Sequence, residues 1–243
     1  MSGHSKWATI KHDKGIADAK RGKAFSRIAK MIAIAVKGGG SDNPDFNPRL
    51  RLAMEKAKEA NMPKDNIDRA IDKGAGRIEG AVYESVMYEG FGPLKIAMMI
   101  ECVTDNKNRT NSEIRSLFDK HGGVLGSLGS TSYFFEKKGE IILALDGTKN
   151  EEELQLELID FGVEDFGKIE NGQINVYVES TQTHEVAQKL KENNYQVLEA
   201  EVIMLPKTYI ELSQAEFDRF LKFFDIIDDH EDVQKIYYNA KKI

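Results

Sequence analysis

Four basic residues recur at one-turn intervals in a stretch rich in good helix formers. They are Lys20, Lys23, Arg27 and Lys30. Residues spaced by three or four positions share one face of an α-helix, and this face carries no acidic residue. Asp18 stands at the start of the helix, where the dipole favours negative charge. A row of cations without carboxylates suits the phosphate backbone of a nucleic acid.

The preceding segment, residues 3–15, mixes cations, imidazoles and an indole without apolar periodicity, which predicts an arm rather than a core element. Trp7 is the only tryptophan. It would either stack on a nucleic-acid base or pin the arm to the body of the protein. The nucleic-acid-binding candidates are Lys6, Trp7, Lys11, His12, Lys14, Lys20, Arg21, Lys23, Arg27, Lys30, Arg49 and Arg51.

A second polar segment, residues 104–110, lies between a predicted buried strand and a predicted helix, a place where ligands often bind. Its two cations would hold a phosphate while its acid or an amide fixes the loop. Alternatively, the segment is a capped turn with internal hydrogen bonds, which Asp and Asn form readily. The candidates for an anion-binding loop are Asp105, Asn106, Lys107, Asn108 and Arg109.

The sequence lacks the usual catalytic and metal-binding patterns. The five histidines are dispersed, with no pair four residues apart and no cysteine–histidine ligand spacing. Neither a G-x-S-x-G elbow nor a Walker loop occurs. The glycines of residues 122–129 either expose backbone N–H groups to an anion or form tight turns. We therefore expect no enzyme, no catalytic residue, no metal, no cofactor and no small-molecule substrate.

Charge is divided unevenly along the chain. Residues 1–78 hold 17 basic and 9 acidic residues, whereas residues 79–243 hold 17 basic and 31 acidic residues. The net charge of −6 therefore hides a basic first third. A basic segment on an acidic body is typical of a protein that binds a polyanion with one part only. The alternative is that the two parts neutralise each other by docking.

Composition limits the class of protein. The 243 residues are 41% hydrophobic, enough for packed cores, and contain no apolar run of about 18 residues that would span a membrane. The N-terminus has no apolar signal region. The single cysteine, Cys102, forms no internal disulfide, which fits a reducing compartment. We expect a cytoplasmic protein that does not bind a membrane.

The periodicity of the sequence changes near residue 78. Before it, helical spacing predicts a bundle of three helices, with a flexible glycine-rich loop at residues 38–44. After it, alternating residues predict strands, and residues 141–205 follow the order β-α-β-β-α-β of a ferredoxin-like module. The elements of residues 209–238 are expected to rejoin the strands of residues 81–103.

These elements predict an α+β fold with three lobes. A basic arm and a helical bundle take residues 1–78. A discontinuous α/β middle domain takes residues 79–136 and 206–243. A ferredoxin-like domain is inserted at residues 137–205.

Several long motifs resemble the YebC/PmpR family. They are Gly3-His4-Ser5-Lys6-Trp7, Ile10-Lys11-His12, Asn47-Pro48-Arg49-Leu50-Arg51, Asn61-Met62-Pro63-Lys64-Asp65-Asn66-Ile67, Tyr88-Glu89-Gly90-Phe91-Gly92-Pro93, Thr104-Asp105-Asn106-Lys107-Asn108-Arg109-Thr110, the segment 122–129, and Asp232-Val233-Gln234. The resemblance covers nearly the whole chain and implies one helical and two α/β lobes. One departure is Leu94-Lys95, where the family often carries Gly-Gly.

The resemblance also implies a function. Bacterial members are described as probable transcriptional regulators that bind DNA, mitochondrial relatives are translational activators, and some bacterial relatives act on the ribosome. Our first hypothesis is a DNA-binding transcriptional regulator, and our second is a ribosome-associated translation factor that binds structured RNA. A third is a protein-interaction module whose basic lobe docks on its own acidic body, and an enzyme comes last. Charge does not separate the first two, because phosphate contacts carry no sequence information.

Overall fold

The computed structural model describes residues 18–78, 82–145 and 150–243, with side chains from residue 22 onward. Within these ranges the chain has a mixed α/β fold. The helices are α1 (Asp18–Gly39), α2 (Pro48–Glu59), α3 (Lys64–Gly74), α4 (Lys107–Lys120), α5 (Glu151–Asp160), α6 (Thr183–Glu192) and α7 (Gln214–Asp228). The strands are β1 (Glu84–Phe91), β2 (Ala97–Thr104), β3 (Val124–Leu125), β4 (Phe135–Ala144), β5 (Asp165–Phe166), β6 (Gln173–Glu179), β7 (Gln196–Pro206), β8 (Ile210–Leu212), β9 (Val233–Tyr238) and β10 (Ala240–Lys242).

Helices α1, α2 and α3 form a bundle around their own hydrophobic cluster. The α1 residues in this cluster follow helical spacing, and they include Ile28, Ile32 and Val36. Helix α2 begins after Asn47, whose side chain accepts a hydrogen bond from the N–H of Leu50. Every residue of this cluster lies within residues 25–71. The bundle therefore has a core that does not depend on the rest of the chain.

The first sheet has the strand order β3-β1-β2-β9, with antiparallel neighbours throughout. Strand β9 lies beside β2, so the C-terminal elements rejoin the earlier strands as the sequence predicts. Helices α4 and α7 pack on this sheet through buried aromatic residues, among them Phe118, Phe220 and Phe223. Strands β8 and β10 form a separate parallel pair.

The other large sheet has the order β5-β6-β4-β7, again with antiparallel neighbours. From β4 to β7 the elements follow the order β-α-β-β-α-β. The sequence pattern predicts a strand over residues 163–170, but β5 pairs with β6 over two residues only. Gly167 has no side chain to pack on the sheet, and the strand ends before it.

The two large sheets pack face to face through a buried set that we call the apolar junction. Its members are Ala97, Met99, Phe135, Tyr177, Ile203 and Tyr237. Strand β2 is buried on both faces, because its other alternate residues pack towards α4 and α7. This double burial explains the apolar run at residues 96–100. The mixed α/β class is confirmed, and the division into three lobes with its residue limits stays a prediction.

The turn between β1 and β2 contains two residues in the left-handed backbone region, Leu94 (φ 63°) and Lys95 (φ 61°). Residues with a Cβ adopt this region at a conformational cost, which glycine avoids. The present chain forms this turn with two residues that carry side chains.

Candidate nucleic-acid interface

The basic face of α1 is turned towards the chain's own C-terminal region. Lys23 Nζ lies 2.9 Å from an Asp229 carboxylate oxygen, and Lys30 Nζ lies 2.5 Å from one of Asp232. Between them, the Arg27 guanidinium lies 3.2 Å from the Asp228 carboxylate. The helical spacing is therefore correct, but the expectation that these three cations lie free of carboxylates is wrong. The carboxylates come from residues 201 to 206 positions away, where local spacing does not reveal them.

The partner of α1 is the segment 228–232, which we call the acidic turn. It joins the end of α7 to the start of β9. The same three cations also donate hydrogen bonds to its backbone carbonyls, those of Asp229, Asp228 and Glu231. The last carbonyls of a helix lack partners within the helix and carry partial negative charge. The acidic turn thus presents carboxylates and carbonyls together to one row of cations.

The three ion pairs become more buried along α1. The Lys23 side chain is 26% exposed and that of Asp229 81%, whereas Lys30 is 8% exposed and Asp232 1%. Burial alone would raise the pKa of Asp232, but hydrogen bonds from Lys30, Thr110 and Arg109 lower it to about 2. Asp232 is therefore a buried, charged anchor, while the pair at the Lys23 end faces solvent.

The polar segment 104–110 holds this anchor in place. The Asn106 side chain accepts a hydrogen bond from the Arg109 N–H and caps α4. The Thr110 hydroxyl donates to Asp232 over 2.8 Å, and the Arg109 guanidinium lies 3.0 Å from the same carboxylate oxygen. Lys107 lies 2.7 Å from the carboxylate of Glu84.

Both cations of the segment therefore have carboxylate partners, and Arg109 also contacts Asp105 at 3.1 Å. Asn108 is exposed. The open anion-binding loop predicted for residues 105–109 is not what the side chains form. They form the alternative, a capped turn with internal hydrogen bonds, because the buried Asp232 supplies the negative charge that an external phosphate would otherwise bring.

Glu113, His230 and Asp232 bring ligand-type atoms within 4.8 Å of one another. His230 Nε2 lies 2.9 Å from Glu113, and its Nδ1 accepts a hydrogen bond from the Asp232 N–H. Both ring nitrogens are therefore in use, and the Asp232 carboxylate is already neutralised by Lys30 and Arg109. We assign no metal to this group.

Further polar contacts also join the bundle to the body. Lys56 lies 3.0 Å from Glu199 and 3.2 Å from Glu201. Lys37 donates to the Tyr83 carbonyl, and Lys73 donates to the Tyr83 hydroxyl and lies over its ring. Together with the three α1 pairs, we call these contacts the ionic junction.

Other cations of the bundle remain open to solvent. They include Arg49, Arg51, Lys58, Lys64 and Arg69, which are exposed and form no ion pair with another described residue. Arg51 donates hydrogen bonds to the carbonyls of Pro44 and Asp45. Arg49 and Arg51 are thus the predicted binding residues that the described side chains leave available.

Phe46 precedes Arg49 by three positions in the sequence and is 77% exposed. The loop that carries it is held by Asn47, whose amide donates to the carbonyls of Ala35 and Ser41. Gly39 permits this arrangement, because a Cβ there would lie 2.3 Å from the Asn47 amide nitrogen. The flexible loop predicted at residues 38–44 is therefore partly wrong: α1 continues through Gly39, and side-chain hydrogen bonds fix the loop. No periodicity or motif in the sequence singles out Phe46.

The glycine segment 122–129 is also closed to an external anion. The buried Glu89 carboxylate accepts hydrogen bonds from the backbone N–H groups of Gly129, Thr131 and Ser132 at 2.7–2.9 Å. These bonds outweigh the burial that raises its pKa, so the pKa of Glu89 is lowered. The segment is a turn tied by the chain's own carboxylate, and Glu89 is a further residue that sequence reasoning missed.

The predicted arm residues Lys6, Trp7, Lys11, His12 and Lys14 lie outside the described residues, as do the side chains of Lys20 and Arg21. None of the described helices is both long and apolar enough to cross a membrane.

Comparison with known proteins gives a consistent result. Residues 5–77 match a family model described as the TACO1/YebC protein N-terminal domain, and residues 83–240 match one described as the TACO1/YebC second and third domain. A probable transcriptional regulatory protein of Dictyoglomus turgidum is 48% identical over 98% of this chain and 95% of its own length. One of Clostridium acetobutylicum is 45% identical over 99% and 97%.

A solved structure shows the same fold. The crystal structure of a conserved hypothetical protein from Aquifex aeolicus aligns with a TM-score of 0.84 at 40% identity and covers 98% of each chain. The family models together span almost the whole chain, and the relatives match it from end to end. The chain therefore belongs to the TACO1/YebC family.

Proposed function

We propose that this chain is a nucleic-acid-binding regulator of gene expression without enzymatic activity, and that it acts in the cytoplasm as a DNA-binding transcriptional regulator. The names of its relatives from Dictyoglomus turgidum and Clostridium acetobutylicum support a regulatory role. The observation that carries the proposal is the basic first third of the chain, in which the exposed Arg49, Arg51, Lys58, Lys64 and Arg69 form no ion pair with another described residue. Cations of this kind supply the sequence-independent part of DNA affinity.

The test is a charge reversal of four open cations of the bundle. Replacing Arg49, Lys58, Lys64 and Arg69 with Glu should weaken binding to duplex DNA and make it less sensitive to salt. If all four contact phosphates, the slope of log affinity against log salt should flatten by roughly 3 to 4. The measurement is fluorescence anisotropy over a salt series.

A matched control makes an equal change in net charge on the body of the protein. Lys95, Lys120, Lys191 and Lys222 are exposed and form no ion pair with another described residue, and their replacement with Glu should leave the slope intact. Equal slopes in both variants would show that total charge, and not the bundle surface, determines the affinity.

A second candidate function is a ribosome-associated translation factor that binds structured RNA. Phe46 supports it, because an exposed aromatic ring a few positions before Arg49 and Arg51 in the sequence suits stacking on an unpaired base. In this case Phe46→Ala should weaken binding to a hairpin RNA with an unpaired loop by about 1–3 kcal/mol and leave duplex DNA binding unchanged. Leu128→Ala, which removes another exposed apolar side chain, is the control.

Crosslinking in cells, followed by sequencing of both DNA and RNA, separates the two functions. Enriched promoter sites without ribosomal RNA would support the transcriptional function. Ribosomal RNA without enriched promoter sites would refute it and leave the translational one.

A further inference from the structure

We propose that the basic face of α1 is a second polyanion-binding surface, closed in this structure by the acidic turn and opened when the bundle separates from the body. The inference rests on the proposed function, since it names where on the chain a nucleic acid gains further contacts. Its partner chemistry is a phosphate backbone, which competes with the carboxylates of residues 228–232.

The first argument is chemical similarity. The acidic turn offers Lys23, Arg27 and Lys30 both carboxylate and carbonyl oxygens at each step. A phosphate backbone likewise offers a row of anionic and neutral oxygen acceptors. The cations that bind the acidic turn are therefore suited to a phosphate backbone as well. The acidic turn and a phosphate backbone cannot occupy the same face of α1 at once.

The second argument concerns what else holds the bundle to the body. No residue beyond position 71 belongs to the hydrophobic cluster of the bundle. The side-chain contacts that form the ionic junction involve lysine or arginine on the bundle side, for example Lys37, Lys56 and Lys73. Ion pairs that reach the surface are weak and are screened by salt. The junction therefore has the chemistry of a reversible contact, and the bundle retains its own core when it opens.

The third argument is the gradient of burial. The Lys23–Asp229 pair faces solvent, whereas the Lys30–Asp232 pair is almost fully buried. A phosphate strand arriving from solvent meets Lys23 first and then Arg27. Lys30 comes last, and Asp232 keeps Arg109 and Thr110 as partners when Lys30 departs. The buried Asp232 carboxylate thus loses Lys30 but is still neutralised by Arg109. The bundle can therefore separate stepwise, beginning at the Lys23 end.

The experiment measures the separation directly in the full chain. Cysteines introduced as Glu55→Cys on α2 and Lys120→Cys at the end of α4 carry a pair of fluorophores. Both positions are exposed, and burial raises the pKa of the native Cys102 thiol to about 12, which keeps it unreactive. The fluorophore distance is followed against salt, and then at low salt against a duplex DNA and a hairpin RNA.

The decisive variant is the pair Asp228→Asn and Asp229→Asn, which weakens the outer ion pairs and leaves Asp232 in place. We expect opening at lower salt and roughly fivefold tighter binding to the nucleic-acid probe, because the closed state competes less well. The control pair Glu152→Gln and Glu153→Gln makes the same change in net charge on α5 and should change neither quantity.

The outcomes separate this inference from the function on which it rests. If DNA or RNA binds while the distance stays fixed, or if the two variant pairs behave alike, the inference is wrong and the proposed function stands. If salt separates the fluorophores but neither probe binds wild type or variant, the proposed function is wrong and the reversible docking stands. Opening by the probe, with earlier opening in the Asp228 and Asp229 variant, supports both.

Discussion

Two junctions hold this molecule together, and they are built from opposite chemistry. At the apolar junction, the two large sheets bury residues such as Met99, Phe135 and Ile203 against each other. At the ionic junction, the bundle meets the body through lysine and arginine side chains on carboxylates, carbonyls and Tyr83. Both join separate hydrophobic clusters, but only one of them removes a large apolar surface from water.

The difference predicts how each junction responds to its surroundings. Apolar burial depends weakly on salt and on pH, and breaking it leaves cavities or exposed hydrocarbon. The strength of ion pairs depends on both salt and pH. When the ion pairs break, a competing polyanion can bind the released cations. We therefore expect the two sheets to move as one body and the bundle to be the part that separates.

The largest decrease in the free energy of unfolding is expected from Phe135→Ala, in the apolar junction. Phe135 is 3% exposed, and truncation of a buried phenylalanine costs about 3–5 kcal/mol through lost burial and the cavity that remains. Urea unfolding measures the loss. The fluorophore distance across the ionic junction should not change in the folded variant, and a change there would mean that the two junctions are coupled.

The second-largest loss of stability is expected from Asp232→Asn, which removes a carboxylate at the buried end of the ionic junction. Removing this charge leaves Lys30, 7% exposed, without its carboxylate. The loss of one partner of a buried pair costs about 3 kcal/mol, because the other charge stays desolvated. The double variant Lys30→Met with Asp232→Asn should recover part of the loss in urea unfolding. No recovery would show that Asp232 acts through Arg109 and Thr110 instead.

Much of this architecture could be predicted from local spacing. The two stripes of α1, the Asn47 cap, and the double burial of residues 96–100 all follow from periods of 3.6 and 2 and from capping chemistry. These features depend on neighbours a few residues away. The short β5 is the exception, because the strand-like run of residues 163–170 pairs with β6 as a regular strand over two residues only.

The candidate site was harder to predict for a physical reason. Whether Lys23 and Arg27 face solvent depends on residues more than 200 positions away. The periodicity of a helix or strand contains no information about such long-range contacts. The opposite net charges of residues 1–78 and 79–243 were the available signal. They indicated the self-docking alternative as well as the polyanion one, and the structure shows the docked arrangement. Segment 104–110 was ambiguous in the same way, since its partner Asp232 is 123 positions from Arg109.

Acid should weaken the ionic junction and spare the apolar one. The folded-state pKa of Asp232 is about 2, below its usual 3.8, so the unfolded chain binds a proton more readily. This carboxylate therefore stabilises the fold above pH about 4, and the contribution of about 2 kcal/mol is lost as pH falls towards 2. Glu201 is lowered to about 2 as well, because Lys235 and Lys56 outweigh its burial.

Urea unfolding between pH 5 and pH 3 measures how steeply the free energy of unfolding changes with pH. The two limits lie about one unit either side of the unfolded pKa. Asp232→Asn should have the shallower slope, since it lacks one of the two groups. Phe135→Ala should have the slope of wild type, because it removes apolar contacts only. A wild-type slope in Asp232→Asn would mean that this carboxylate keeps its usual pKa in the folded protein.

The smallest effect on stability is expected at the solvent-facing end of the ionic junction. The Asp229 side chain is 81% exposed, so Asp229→Ala should change the free energy of unfolding by less than about 1 kcal/mol. The same substitution should nevertheless lower the salt concentration at which the bundle separates, because Lys23 loses its carboxylate and keeps only a carbonyl. A variant that alters separation without altering unfolding would show that docking of the bundle and folding of the body are distinct equilibria. If both quantities change in proportion, the bundle and the body unfold as one unit, and the ionic junction is part of the fold in the same sense as the apolar one.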